Sequence, residues 1–95
     1  MRSVIIVPAL NEEAAIGSVV RGVQHKVDQV IVVDNGSTDR TAECASEAGA
    51  DVIHVPKAGY GRACLAGVHA SQGAELILFM DGDGAADPDD LSALI

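Results

Sequence analysis

Aromatic side chains are almost missing: the 95 residues include no tryptophan, one tyrosine and one phenylalanine. With 48% hydrophobic residues, a single domain of this length has to build its core from aliphatic side chains. Basic residues are scarce too. Six Lys and Arg against 14 Asp and Glu give a formal net charge of -8, which argues against nucleic-acid or anionic-membrane surfaces, because both call for basic patches. An anionic ligand would have to be met by a cation or by backbone N–H groups. Cys44 and Cys64 stand far apart in no CxxC arrangement and read as reduced helix residues rather than a disulfide or a metal site. His25, His54 and His69 lack ligand spacing and read as surface or satisfied residues. No apolar run is long enough to span a bilayer, and Pro8, Asn11, Glu12 and Glu13 stand where a signal peptide would continue its apolar region. These absences describe a small acidic domain suited to a cytoplasmic setting, which includes the inner face of a membrane.

What is present is an alternation of strands and helices. Residues 4–7 form a β-branched run stopped by Pro8, after which Asn11 is expected to cap a helix with Glu12 and Glu13 in its first turn. Ile16, Val19, Val20 and Val23 follow the i, i+3, i+4, i+7 spacing of its core face. A second strand at 30–33 ends in Asp34-Asn35-Gly36-Ser37-Thr38-Asp39, a turn and cap cluster opening a helix rich in Ala42, Cys44, Ala45 and Ala48 and closed by Gly49. A third strand at 52–55 leads through a glycine-containing loop, with Tyr60 exposed in it, to a helix bearing Leu65 and Val68, and Gly73 precedes the fourth strand. Asp87 and Pro88 then predict a last helix with Leu91, Leu94 and Ile95 on it. Repeated strand–helix units of this size predict an α/β fold, a Rossmann-like parallel sheet with helices on both faces.

The fourth strand carries the most chemistry. Leu76-Ile77-Leu78-Phe79-Met80 runs straight into Asp81-Gly82-Asp83. Residues two apart point the same way in an extended chain, and Gly82 lets the backbone turn, so the two carboxylates can converge. At a few Å they repel by on the order of several kcal/mol unless a proton or cation intervenes. A hard divalent ion, Mg²⁺ or Mn²⁺, suits such oxygen ligands. An isolated Asp-x-Asp is also an ordinary solvated turn that stops a strand, so the case rests on context. Ligands of open parallel sheets bind outside the carboxyl ends of the strands, where Pro8, Leu10, Glu12, Asp34, Arg62, Asp81 and Asp83 all fall.

Taken in order, Val4-Ile5-Ile6-Val7-Pro8-Ala9-Leu10-Asn11-Glu12-Glu13, Val32-Val33-Asp34-Asn35-Gly36-Ser37-Thr38-Asp39, Gly59-x-Gly61-x-Ala63 and Asp81-Gly82-Asp83 resemble the signature of family 2 glycosyltransferases of the GT-A fold, the group that includes dolichyl-phosphate mannose synthases and glucosyl-3-phosphoglycerate synthases. The resemblance spans nearly the whole chain. It implies that residues 1–95 are the donor-binding N-terminal part of such a domain, taking a nucleotide-diphosphate sugar of the UDP or GDP type. Pro8, Leu10 and Glu12 would border the nucleoside, and Asp34 would accept a hydrogen bond from the base. Asp81 and Gly82 would lie near the ribose or sugar. Asp83, with Asp81, would hold Mg²⁺ or Mn²⁺ on the pyrophosphate, where the ion neutralises the leaving group. Transfer would proceed with inversion to an acceptor such as a polyprenyl phosphate or a small acid. Lys57 and Arg62 flank the glycine loop and suit either a phosphate or a neighbouring carboxylate.

The match has departures. Leu10 stands where many relatives place an aromatic residue, so it offers the base apolar contact without stacking. Ala85 occupies a position that supplies a further metal contact in some relatives, which leaves Asp87 as a substitute. Relatives continue into a half that binds the acceptor and supplies the catalytic base; no catalytic residue is assigned in this chain, and truncation with loss of transfer activity is the expectation. An uncovered parallel edge would then favour a homo-oligomer. The rival reading is a non-enzymatic nucleotide- or metal-binding module or an inactive fragment. A calcium EF-hand fails, because a loop starting at Asp81 meets Ala85, Ala86 and Ser92 where an acid, glycine and glutamate belong. A dinucleotide-binding unit fails because Pro8-Ala9-Leu10-Asn11 replaces the glycine-rich turn.

Overall fold

The computed structural model describes residues 2–56, 60–71, 73–80 and 92–94. Its elements follow the expected alternation: β1 (Ser3–Ala9), α1 (Ile16–Val23), β2 (Gln29–Asp34), α2 (Thr41–Glu47), β3 (Asp51–His54), α3 (Tyr60–Ala70), β4 (Leu76–Phe79) and β5 (Ser92–Leu94). The sheet order is β3-β2-β1-β4-β5, with the first four strands parallel. The chain moves outward from β1 to β3 and then returns to the other side of β1. The order therefore reverses between β1 and β4, the place where open α/β sheets form their ligand crevice.

The pleat divides the aliphatic core in two. Ile5, Val7 and Ala9 of β1, with Val30 and Val32 of β2, pack against Ile16, Val19, Val20 and Val23 of α1 and Ala45 and Ala48 at α2. Val4, Ile6, Ile31 and Val33 face the other way, against Ala66 and Val68 of α3 together with Ile77 and Phe79. Alternate β-branched residues on both faces are what a doubly covered central strand needs. On the second face α3 comes close: a Cβ built on buried Gly67 would lie 2.4 Å from Ile6 Cγ2. Cys44 and Cys64 are free thiols in α2 and α3.

Three expectations need correction. The segment expected to be a helix carrying Leu94 is instead β5, antiparallel to β4, with Ile77 opposite Leu94 and Phe79 opposite Ser92. An unpaired β4 would expose a row of backbone donors and acceptors, and this tertiary demand outweighs the helical spacing of Leu91 and Leu94. The side of β4 away from β1 is thus covered, while β3 remains a parallel edge strand among the described residues. Asp87, Pro88, Leu91 and Ile95 lie outside the described residues. Secondly, α1 starts at Ile16 rather than after Asn11, with Ala15 at its N-cap and no side-chain cap, because the first residues past β1 bond to another loop. Thirdly, Tyr60 opens α3 rather than standing in a loop.

Candidate functional site

The carboxyl ends of three strands lie abreast, with Ala9 beside Asp34 and Asp34 beside His54 in the parallel register. The fourth joins them through the Met80 N–H, which donates to Ile6 O at 3.1 Å. The loops after β1 and β2 rise from this edge and are laced together. The Asn11 N–H donates to Ser37 Oγ at 2.9 Å, and the Thr38 N–H donates back to Asn11 Oδ1 at 2.9 Å. The Glu12 N–H donates to Thr41 Oγ1 at 2.8 Å, the Glu13 N–H to Asp39 Oδ2 at 3.3 Å, and the Arg40 N–H to Glu13 Oε2 at 3.3 Å. Asn11 has φ 53°, a left-handed conformation that asparagine tolerates better than most residues. Its side chain serves the neighbouring loop instead of a helix N-terminus.

This lacing brings together four of the residues singled out in the sequence. Pro8 is buried within β1, Leu10 is 44% exposed just past its end, Glu12 is half-buried, and Asp34 is 7% exposed at the end of β2. Asp34 Oδ1 accepts the Ser37 N–H at 3.1 Å across the turn, and its Oδ2 stands 3.3 Å from His54 Nδ1. Gly36, with φ 84°, makes that turn possible; a Cβ there would also meet Pro56 O at 3.1 Å. Arg62 is exposed in the first turn of α3 and takes no part in the lacing. Asp81, Gly82 and Asp83 follow directly on Met80 and lie outside the described residues, as does Lys57.

Sequence reasoning missed Thr41 and gave Asn11 a helix cap instead of its bonds to the next loop, while His54 is exposed, as read from the sequence. Thr41 is fully buried, and its hydroxyl accepts from Glu12 and donates to Asp39 Oδ1. Asp39 also accepts the Thr41 N–H at 3.0 Å, so it does the capping from one position before the Arg40 N-cap. Its carboxyl is held below the ordinary 3.8, first by the Thr41 hydroxyl and then by the backbone N–H groups of Thr41 and Glu13, against some desolvation. A lowered folded value means that Asp39 stabilises the fold above about pH 3.8 and that this contribution is lost as pH falls through the folded value. Thr41→Val should leave the Glu12 N–H unpaired and cost about 1–3 kcal/mol. The Asp39 titration should move back up towards 3.8. Urea melts at neutral pH and carboxyl NMR titration measure both effects; an unshifted Asp39 titration would show that the hydroxyl is not its main donor.

The chemistry of the edge is thus an apolar ledge at Leu10 and a carboxylate at Asp34 held by the Ser37 N–H, with two acids following β4 in sequence. Oxygen donors such as Asp81 and Asp83 fit Mg²⁺ or Mn²⁺. Among the described residues no group of three His, Cys, Asp or Glu side chains could hold a metal ion. No helix among the described residues is long and apolar enough to cross a membrane.

Known proteins resemble this chain in sequence and fold. The family model described as glycosyl transferase family 2 matches residues 4–95. An uncharacterized glycosyltransferase of Mycobacterium tuberculosis (Rv0539) is 38% identical over 91 residues, covering 96% of this chain and 41% of that protein. Polyprenol monophosphomannose synthase of Mycolicibacterium smegmatis is 38% identical over 105 residues, 99% of this chain and 40% of that protein. The chain therefore spans about two fifths of the length of the curated relatives it matches. Glucosyl-3-phosphoglycerate synthase of M. tuberculosis, solved with Mn²⁺, UDP and glucosyl-3-phosphoglycerate, superposes with a TM-score of 0.74 at 34% identity, over 85% of this chain and 33% of that one. A structure of the same enzyme holds Mg²⁺ and UDP. With its parallel β3-β2-β1-β4 core and these likenesses, the fold is of the GT-A type, and the chain belongs to glycosyltransferase family 2.

Proposed function

We propose that residues 1–95 form the donor-binding part of an inverting glycosyltransferase that holds a nucleotide-diphosphate sugar through Mg²⁺ or Mn²⁺ bound by Asp83 and Asp81. The observation that carries this reading is the juxtaposition of Leu10, Glu12 and Asp34 by the laced loops at the carboxyl edge, beside the strand that leads into Asp81-Gly82-Asp83. Leu10 gives the nucleoside an apolar surface, Pro8 stiffens the strand end beneath it, and Asp34 accepts an N–H of the base. Arg62, at the start of α3, is placed to meet phosphate. The bound ion supplies charge neutralisation on the departing nucleotide diphosphate. A uridine donor is the more economical choice: uracil presents one ring N–H, which one free carboxylate lone pair can accept, and the relative of known structure holds UDP. Relatives that act on polyprenol monophosphate or phosphoglycerate support an acceptor of the anionic phosphate class.

Asp34→Ala tests the nucleoside half of the reading. UDP binding should weaken by about 1–3 kcal/mol, the loss expected when a hydrogen-bonded group inside a site is left unpaired. The gain in affinity on adding Mn²⁺ should stay the same, because the metal belongs to another strand end. Calorimetry with and without Mn²⁺ reads both; unchanged UDP affinity would place the base elsewhere.

A further inference from the structure

We infer that Asn11 is a positioning residue for the nucleoside, joining a left-handed backbone to a side-chain bond with the next loop so that Leu10 and Asp34 are held in one frame. The inference rests on the reading of Leu10 and Asp34 given above. Among the described residues Asn11 is the one non-glycine residue with positive φ, at 53°. The chain bends at residues 10 and 11, leaving the line of β1 for the loop after β2. Such a conformation costs a residue with a side chain free energy and persists where surrounding bonds hold it. Two bonds do so here. The Asn11 N–H donates to Ser37 Oγ, and Asn11 Oδ1 accepts the Thr38 N–H, each at 2.9 Å.

Leu10 is thereby the single residue between two anchored neighbours. On one side Ala9 pairs with Asp34 in the strand register, and its carbonyl accepts the Asn35 N–H at 2.9 Å. On the other side Asn11 is tied to Ser37 and Thr38. Ser37 is the shared node, since its Oγ receives Asn11 while its N–H donates to Asp34 Oδ1 at 3.1 Å. A planar base that lays its face on Leu10 and turns its N–H to Asp34 needs those two groups in a fixed relation, because a hydrogen bond weakens steeply off line. Asn11 keeps that relation through two separable properties. Glycine adopts positive φ freely but brings no acceptor, whereas aspartate tolerates positive φ and keeps an acceptor oxygen for Thr38.

The test measures binding of UDP and of inorganic pyrophosphate, each with Mn²⁺, to the full-length protein in about 0.5 M salt, which screens an added charge beyond a few Å. Pyrophosphate carries no nucleoside, so it reads the metal side alone. Asn11→Gly should weaken UDP about three- to tenfold, the range for one hydrogen bond, and leave pyrophosphate unchanged. Asn11→Asp should bind UDP within about twofold of the parent. Ser37→Ala, which removes the acceptor of the Asn11 N–H, tests the same link from the other loop and should fall in the range of Asn11→Gly. Unchanged UDP binding by Asn11→Gly, an equal loss for both ligands, or an Asn11→Asp protein as weak as Asn11→Gly would overturn the inference. Leu10→Ala, run alongside, separates the two readings. If it weakens UDP while Asn11→Gly does not, the base rests on Leu10 without help from Asn11. If it is silent, the ledge role of Leu10 falls and takes the positioning role with it. Asn11 is exposed, so folding should survive these changes, and thermal melts of each variant check this.

Discussion

Replacing Asp83 by alanine should abolish the metal-dependent part of nucleotide-diphosphate binding while leaving the fold intact. A carboxylate pair and a pyrophosphate repel one another strongly in a sheltered cleft, so a divalent ion and UDP should each bind the parent protein more tightly in the presence of the other. Asp81 and Asp83 are the proposed oxygen donors, because hard divalent ions prefer carboxylate oxygens. With Asp83 gone, Asp81 alone would leave too few protein ligands to keep the ion on the phosphates. Calorimetric titration of UDP with Mn²⁺, and again with EDTA, should show a large difference for the parent and none for Asp83→Ala. Stability should hold or rise slightly, because one carboxylate–carboxylate repulsion is relieved. Equal UDP affinity with and without EDTA in the parent would sink the metal bridge.

The largest expected effect on stability comes from a single methyl group. Gly67→Ala would put a Cβ 2.4 Å from Ile6 Cγ2, closer than non-bonded carbons approach, at a fully buried contact between α3 and the central strand. Helix propensity favours alanine by up to about 1 kcal/mol. Overpacking costs about 1–3 kcal/mol, and here it wins, because Ile6 is held on both sides within β1 and has no room to withdraw. Ile6→Ala alone should cost about 2–5 kcal/mol through the cavity it leaves. Together the two changes should cost less than their sum, since the new methyl occupies space that the isoleucine vacated. Urea denaturation of the four proteins in the cycle provides the check, and strict additivity would mean that α3 simply shifts away from β1.

Much of this architecture was legible in the chain. The valine and isoleucine runs gave the four parallel strands, and Ile16, Val19, Val20 and Val23 gave the buried face of α1, because period-two and period-3.6 patterns follow directly from burial on one or both sides. The end of β2 could be read because Asp34 breaks an apolar run, whereas β1 continues through Pro8 to Ala9. The misreadings share a cause. Asn11, Glu12 and Glu13 carry the local chemistry of a helix start, yet their bonds go to Ser37, Thr41 and Asp39, more than 25 positions away. Leu94 has helical spacing with Leu91, yet Ser92–Leu94 is drafted to cover β4. Local propensity cannot foresee a partner supplied by the tertiary fold. The reading of His54 as a surface residue agrees with its exposure at the end of β3.

The lacing between the loops after β1 and β2 also bears on the thermodynamics of recognition. A nucleoside seat made of independent loops would have to be ordered by the ligand, at roughly 1–2 kcal/mol for each backbone residue fixed. Here Asn11, Glu12 and Glu13 are already tied to Ser37, Thr38, Thr41 and Asp39 by bonds internal to the protein. That ordering cost is met during folding, and little of it remains to be charged against binding. Base contacts can then be few and modest and still give useful affinity. Such a seat would suit the donor-binding role proposed above, in which the nucleotide must leave again after the sugar has gone.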